Sequence, residues 1–380
     1  MSVLGRGNGV KENIPAFRNR DNVIREQILA TTFALSILVS TLTASAAPAW
    51  TSPPTVAAAA KPIVFKNAGA TLRGTLYVPE VGHPVPAVVV FHGASEPLAR
   101  TPLYRHLRDG LPAIGIAVLI FDRRGTGASS GTKDVAYQTL AGDGIAGADA
   151  IRALPDIDSK RVGYWGISQG GWLATLAASR DPRAAFAVAV SAPLVPAETQ
   201  MEFAMSNRLE VLGYSQLDVR DMLSARKAVD GYYSGANGRA AAVAALEKIQ
   251  NRPWFKLMYL PNPSSLPANP AGSSWTEQMD VDFFAAVERV KIPILFILGS
   301  SDPWIPVSLT VDRLRDVARE RSNLAYVVVP NANHLMMTPP AHERMNDADP
   351  QQIWVDRPES TAYFMVLAAW LGRTSKQSEK

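Results

Sequence analysis

The sequence predicts an open α/β fold, a largely parallel sheet with helices on both faces, and three observations carry that expectation. Beyond Lys61, short β-rich runs alternate with helical stretches, the pattern of strands joined by crossover helices. Several runs are continuously apolar, such as Ala-Val-Val-Val-Phe at 87–91 and Ala-Val-Leu-Ile-Phe at 117–121, which suits strands buried on both faces. Finally, residues able to do chemistry stand just beyond the runs: His92, Asp122, Ser168, Asp302 and His334. Open sheets of this kind place their sites in loops at the carboxyl ends of strands, so this placement is what a functional edge requires.

The elements follow in order. Residues 63–65 and 71–78 read as an antiparallel opening pair, and strands are expected at 87–91, 116–121, 162–166, 185–191, 294–299 and 324–329. Between 192 and 291 the alternation stops. Helical, aromatic-rich segments at 201–212, 218–233 and 240–257, followed by a proline-rich loop at 261–270, predict a helical cap lying over the strand ends. The domain reading is a core over 62–194 and 291–373 interrupted by a cap insertion at 195–290, with a polar tail at 374–380.

Residues 1–46 look like an export signal. Arg18, Arg20 and Arg25 precede an uncharged apolar stretch at 28–42, and Ala44-Ser45-Ala46 offers the small residues a signal peptidase needs. The apolar stretch falls short of the roughly 20 residues that span a bilayer, so cleavage and release to a periplasmic or extracellular location is favoured over a membrane tether, and no stable span is expected after cleavage. An Ala, Pro, Ser and Thr-rich stretch at 47–61 reads as a linker.

Composition narrows the function. The chain has 380 residues, 47% hydrophobic and 19% charged, with a net charge of +4. That charge is too small to suggest a nucleic-acid partner. There is no cysteine, which excludes thiolate catalysis, and the five histidines (His83, His92, His106, His334, His342) show no close ligand spacing, so no metal is expected.

Gly166-Ile167-Ser168-Gln169-Gly170 stands between an expected strand and an expected helix, the arrangement of a nucleophile elbow. Glycines two before and two after the serine are required because a Cβ at either place would collide with neighbouring backbone. Together with Ile157-Asp158-Ser159-Lys160-Arg161-Val162-Gly163 before it, this segment resembles the α/β-hydrolases related to prolyl oligopeptidase and dienelactone hydrolase, over roughly residues 62–372. The resemblance implies an eight-stranded sheet and a catalytic triad in the chain order serine, acid, histidine.

A serine hydroxyl needs a base to take its proton, and an acid to fix the base's tautomer. His334, in Pro330-Asn-Ala-Asn-His334 after the last strand, resembles the family's catalytic histidine. Asp302, in Gly299-Ser-Ser-Asp302-Pro-Trp after the strand at 294–299, resembles its acid loop. The oxyanion that forms needs preorganised N–H donors. Gln169 directly follows the nucleophile, and His92-Gly93-Ala94-Ser95 resembles the family's His-Gly loop, which assigns Ala94, with Ser95 as the alternative and His92 as a structural support.

Asp122-Arg-Arg-Gly125-Thr-Gly127-Ala-Ser-Ser-Gly131 could pass for a dinucleotide loop, but its spacing departs from G-x-G-x-x-G and no helix begins at once, so no cofactor is expected. It resembles the family's Asp-x-Arg-Gly turn, a rim element. Trp304, Met336, Trp254 and Tyr259, with Phe255 and Met258, are the candidate pocket residues. The expected activity is hydrolysis of a small-molecule carboxylic ester with water as second substrate, through an acyl-enzyme. The alternatives are an exported peptidase of the prolyl-oligopeptidase kind and a binding protein that keeps the fold without the chemistry.

Overall fold

The computed structural model describes residues 57–94, 104–271, 273, 281–338 and 360–375. The expected signal segment, His342 and Ser95 lie outside the described residues. Eight strands form one sheet: β1 (Ala58–Asn67), β2 (Ala70–Pro79), β3 (Val85–Phe91), β4 (Ala117–Phe121), β5 (Ile157–Ile167), β6 (Ala187–Val190), β7 (Ile294–Gly299) and β8 (Leu324–Val329), in the order β1-β2-β4-β3-β5-β6-β7-β8. The first two strands pair antiparallel with each other, β2 runs antiparallel to β4, and β3 to β8 are parallel. The expected fold class holds.

The apolar runs divide by alternation. In β3, Val85, Ala87, Val89 and Phe91 enter one core while Val88 and Val90 enter the other. Helices α2 (Tyr137–Arg152), α3 (Gln169–Arg180), α7 (Phe283–Arg289) and α8 (Val307–Glu320) contribute to the first core, α1 (Arg105–Ala113) and α9 (Thr361–Thr374) to the second. Because β3, β4, β6 and β7 are buried along their whole length, as is the end of β5, the middle of the sheet offers a ligand access only at the strand ends.

The cap consists of α4 (Ala197–Val211), α5 (Gln216–Tyr233), α6 (Arg239–Ile249) and two short 3₁₀ turns, with its own core around Met205, Met222, Leu246, Trp254 and Met258. Ser215 opens α5 with a reciprocal capping box to Asp218.

Three boundaries differ from the sequence reading. β1 begins at Ala58, inside the stretch taken as linker, because residues 58–61 pair with 76–79 through backbone groups that alanine supplies as well as any residue. The expected helix at 240–257 stops at Ile249, since Pro253 disfavours helical backbone in the residue before it and lacks an N–H. Helix α7, placed in the cap by sequence, belongs to the core: Phe283 stacks on Trp172 of α3 with ring centroids 4.4 Å apart.

Candidate active site

Ser168 occupies the turn between β5 and α3 with φ +56° and ψ −125°, a left-handed conformation that a serine adopts at a cost. Close packing holds it there. A Cβ on Gly166 would stand 1.9 Å from the Gly170 carbonyl oxygen, and one on Gly170 would stand 2.3 Å from the carbonyl oxygen of Phe91. The Ser168 N–H donates to the Val190 carbonyl at 2.8 Å, and its own carbonyl accepts from Gly171 at 2.9 Å. The serine is thereby tied to the end of β6 and to the first turn of α3, whose N-terminal N–H groups favour negative charge beside it.

Asp302 and His334 meet beyond β7 and β8. Nδ1 of His334 donates to Asp302 Oδ2 at 2.8 Å and approaches Oδ1 at 3.0 Å. The Asp302 side chain has 0% exposure and also accepts the backbone N–H of Trp304 at 2.8 Å and of Ile305 at 3.3 Å. These donors satisfy a carboxylate that burial would otherwise penalise. With the proton held on Nδ1 by the carboxylate, Nε2 carries the lone pair of the ring and is its basic nitrogen.

The two loops are fastened to each other by backbone. Ser300 N–H donates to the Val329 carbonyl and Ser301 N–H to the Ala332 carbonyl, both at 3.0 Å. A Cβ on Gly299 would lie 2.4 Å from the Ala332 oxygen, so glycine permits this approach. Sequence reasoning missed two residues here. The hydroxyl of Ser191, just past β6, donates to the His334 carbonyl at 2.7 Å. Buried Asn333 accepts the N–H groups of Leu335 and Met337 at 3.0 Å each, closing the turn that carries the histidine. A turn-forming asparagine beside the histidine was the available signal; nothing local marked Ser191.

The chain from Ser168 N–H to Val190, and from neighbouring Ser191 to His334, places serine, acid and histidine along one carboxyl edge of the sheet. The loop after β3 reaches the same edge. His92 is fully enclosed, its ring edge-on to Tyr104 and Phe121, and its Nε2 donates to the Phe121 carbonyl. Burial pushes its pKa down to about 4, so the ring is a neutral strut. Gly93 N–H is committed to the Tyr104 hydroxyl at 3.2 Å. Among the described residues the backbone N–H groups of Ala94 and Gln169 have no acceptor.

The turn after β4 is built on a buried ion pair. Arg124 grips Asp143 of α2 through two bonds, 2.5 and 2.7 Å, and Asn67 of β1 adds a third donor to the carboxylate at 2.8 Å. Its neighbour Arg123 instead reaches the Gln169 side chain, donating to Oε1, while Gln169 Nε2 donates to the Tyr137 hydroxyl at 3.1 Å. Burial lowers the pKa of Arg123 and raises that of Tyr137.

Of the expected pocket residues, Trp304 lies with its ring centroid 6.4 Å from that of His334, and the half-exposed Tyr259 ring is 6.3 Å from Trp304. Trp254 and Met336 do not line an accessible surface. Trp254 is closed inside the cap core with its indole N–H on Asp218 at 2.8 Å, and Met336 packs in the second core of the sheet. Phe255 and Met258 share the cap core, for the reason that a small helical unit must bury its largest apolar groups against itself. From the cap, Gln200 donates to the Trp304 carbonyl at 2.8 Å and Asn207 to the Pro303 carbonyl at 2.9 Å, with the Arg208 guanidinium 5.6 Å from the Trp304 ring centroid.

Among the described residues no cluster of acidic or histidine side chains could hold a metal ion, and no helix is long and apolar enough to cross a membrane.

Residues 88–348 match the alpha/beta hydrolase family. The thiohydrolase apmlB of Arthrinium phaeospermum is 29% identical over 193 residues, 50% of this chain and 60% of that protein, so the match spans less than two thirds of that relative. An uncharacterized protein of Mycobacterium tuberculosis is 25% identical over 275 residues, covering 72% of this chain and 71% of its own length. Among solved structures, an esterase of Pyrococcus furiosus superposes with a TM-score of 0.50 at 15% identity, over 84% of this chain and 91% of the esterase, a likeness of fold.

Proposed function

The chain belongs to the α/β-hydrolase family, and from that premise we propose that it is a serine hydrolase that cleaves carboxylic esters through an acyl-enzyme, with Ser168 as nucleophile, His334 as base and Asp302 as the group that orients the base. The observation that carries the reading is the strained Ser168 on one sheet edge with a histidine whose Nδ1 proton is held by a buried carboxylate.

The steps follow from those groups. His334 Nε2 takes the Ser168 proton as Oγ bonds the ester carbonyl carbon, and the carbonyl electron pair moves onto oxygen. The N–H groups of Gln169 and Ala94 hold that oxyanion, an interaction typically worth about 3 kcal/mol per donor. Collapse breaks the bond to the alcohol oxygen, which leaves with the proton from His334. Water then attacks the acyl-enzyme, gives its proton to His334, and releases the acid while Ser168 recovers its hydrogen. The Asp302 carboxylate, bonded to Nδ1, stabilises each transient imidazolium. A thioester would pass through the same steps with a thiolate leaving group, a reading favoured by the similarity to the Arthrinium thiohydrolase.

Labelling with a fluorophosphonate tests the proposal. Wild type is expected to be modified on Ser168 and Ser168→Ala to remain unmodified; a folded wild type that resists the probe would favour a non-catalytic binding protein. Nitrophenyl esters of rising chain length run beside aminoacyl nitroanilides separate esterase from peptidase, and faster amide than ester turnover would reverse the choice. We also propose export, on residues 1–46; sequencing the amino terminus of protein recovered from a host that exports it should show cleavage near Ala47.

A further inference from the structure

Two arginines stand side by side after β4 and are treated differently. Arg124 is buried in a complete ion pair with Asp143. Arg123 is partly buried, and among the described residues no carboxylate bonds it. Its Nη1 donates to the neutral Gln169 amide, and its Nε is buried with no partner. Asp143, the nearby buried acid, is already taken by Arg124, and Asp134 lies on the surface. The partly buried guanidinium loses hydration and receives in return one amide oxygen and the field of carboxylates it does not touch, less than its desolvation costs, an arrangement that a bound anion would complete.

The location says which part of a substrate would supply that anion. Arg123 holds the side chain of Gln169, whose backbone N–H is the proposed oxyanion donor. In the sheet, β4 and β3 lie on one side of β5, and β6, β7 and β8 on the other. The leaving group must depart toward His334, which follows β8, because that residue protonates it. The acyl chain is then directed to the opposite side, toward Arg123.

We infer that Arg123 is the specificity-determining residue for an anionic acyl group, so that the preferred substrates are half-esters of short dicarboxylic acids, their free carboxylate paired with the guanidinium. The inference rests on the acyl-enzyme reading above. Arg123 is a substrate-binding group in this account, and a merely structural role, propping Gln169, would act on charged and neutral substrates alike.

The test compares kcat/KM for the 4-nitrophenyl half-ester of glutaric acid with that for 4-nitrophenyl valerate, which is similar in length and uncharged. In wild type the ratio should exceed one, and in Arg123→Met it should fall by roughly tenfold or more, the worth of one charge-assisted hydrogen bond, with partial recovery in Arg123→Lys. A wild-type ratio at or below one, or a ratio unchanged in Arg123→Met, overturns the inference. Calorimetric titration with free glutarate separates this from failure of the hydrolase reading, because it needs no turnover. If Ser168 resists the fluorophosphonate yet glutarate binding weakens about tenfold in Arg123→Met, the anion site stands without the proposed chemistry. Folded wild type that does not bind glutarate removes the site.

Discussion

At the carboxyl edge of the sheet the loops after β5, β6, β7 and β8 are joined largely through backbone groups, whereas the cap reaches them through side chains. Ser168 is bonded to Val190, Ser300 to Val329 and Ser301 to Ala332 by main-chain N–H groups, and glycines at 166, 170 and 299 permit contacts that a single methyl would prevent. Among the described residues the cap's polar attachments to the acid loop are the side chains of Gln200, Asn207 and Arg208, all on α4. The cap also folds around a core of its own. The difference separates two tasks. In the proposed reading the reacting groups are set by the sheet and its turns, and the cap is the part whose sequence could vary, and with it the choice of substrate, without moving them.

Glycine substitutions break that comparison most sharply. Gly166→Ala forces a methyl into the Gly170 carbonyl and should cost about 3 kcal/mol or more, read as a lowered urea midpoint. Gly213→Ala, in the turn between α4 and α5, meets open space and suffers only from its φ of +79°, so a loss of about 1 kcal/mol is expected. Equal losses at the two positions would mean that the edge is no more tightly determined than the cap.

Acid should weaken the sheet edge through His92. Its pKa is about 4 in the folded chain against an ordinary 6.5, so the unfolded chain binds the extra proton between those values. This contribution is whole above pH 6.5 and is lost as pH falls toward 4, by roughly 3 kcal/mol in total. Urea midpoints measured across that range in wild type and His92→Gln should diverge at high pH and converge at low pH. Parallel curves would show that His92 is not the buried neutral strut described.

The smallest effect is expected at the junction itself. Gln200→Ala combined with Asn207→Ala removes two bonds of about 1 kcal/mol each. The double variant should alter the ester chain-length preference by a few-fold and leave the shape of the pH profile unchanged. A changed pH profile would mean that the cap positions Asp302 and does more than select substrate.

The same division governs what could be read from sequence. The elbow at Ser168 was legible because its constraint is local: two glycines, a strand and a helix within a few residues. Asp302 and His334 were legible because strand ends announce themselves by a break in apolar pattern. Ser191 was not, since its task is defined by a carbonyl 143 residues away. Trp254 was misplaced because an aromatic in a helical segment shows that it will be buried, not what will bury it. Arg123 and Arg124 look alike in sequence, and only the approach of α2 with Asp143 assigns the counter-charge to one of them. Residues 58–61 joined β1 for a similar reason, as pairing with β2 supplied order that their own composition did not demand.

The central claim is that Ser168, His334 and Asp302 work as one unit, and a double-mutant cycle measures that directly. Ser168→Ala and His334→Ala should each lower kcat/KM for a nitrophenyl ester by about 10⁴-fold or more, and the double variant should be no slower than either single one, because the second removal disables a machine already stopped. Losses that multiply in the double variant would show that serine and histidine act independently, and would contradict the account.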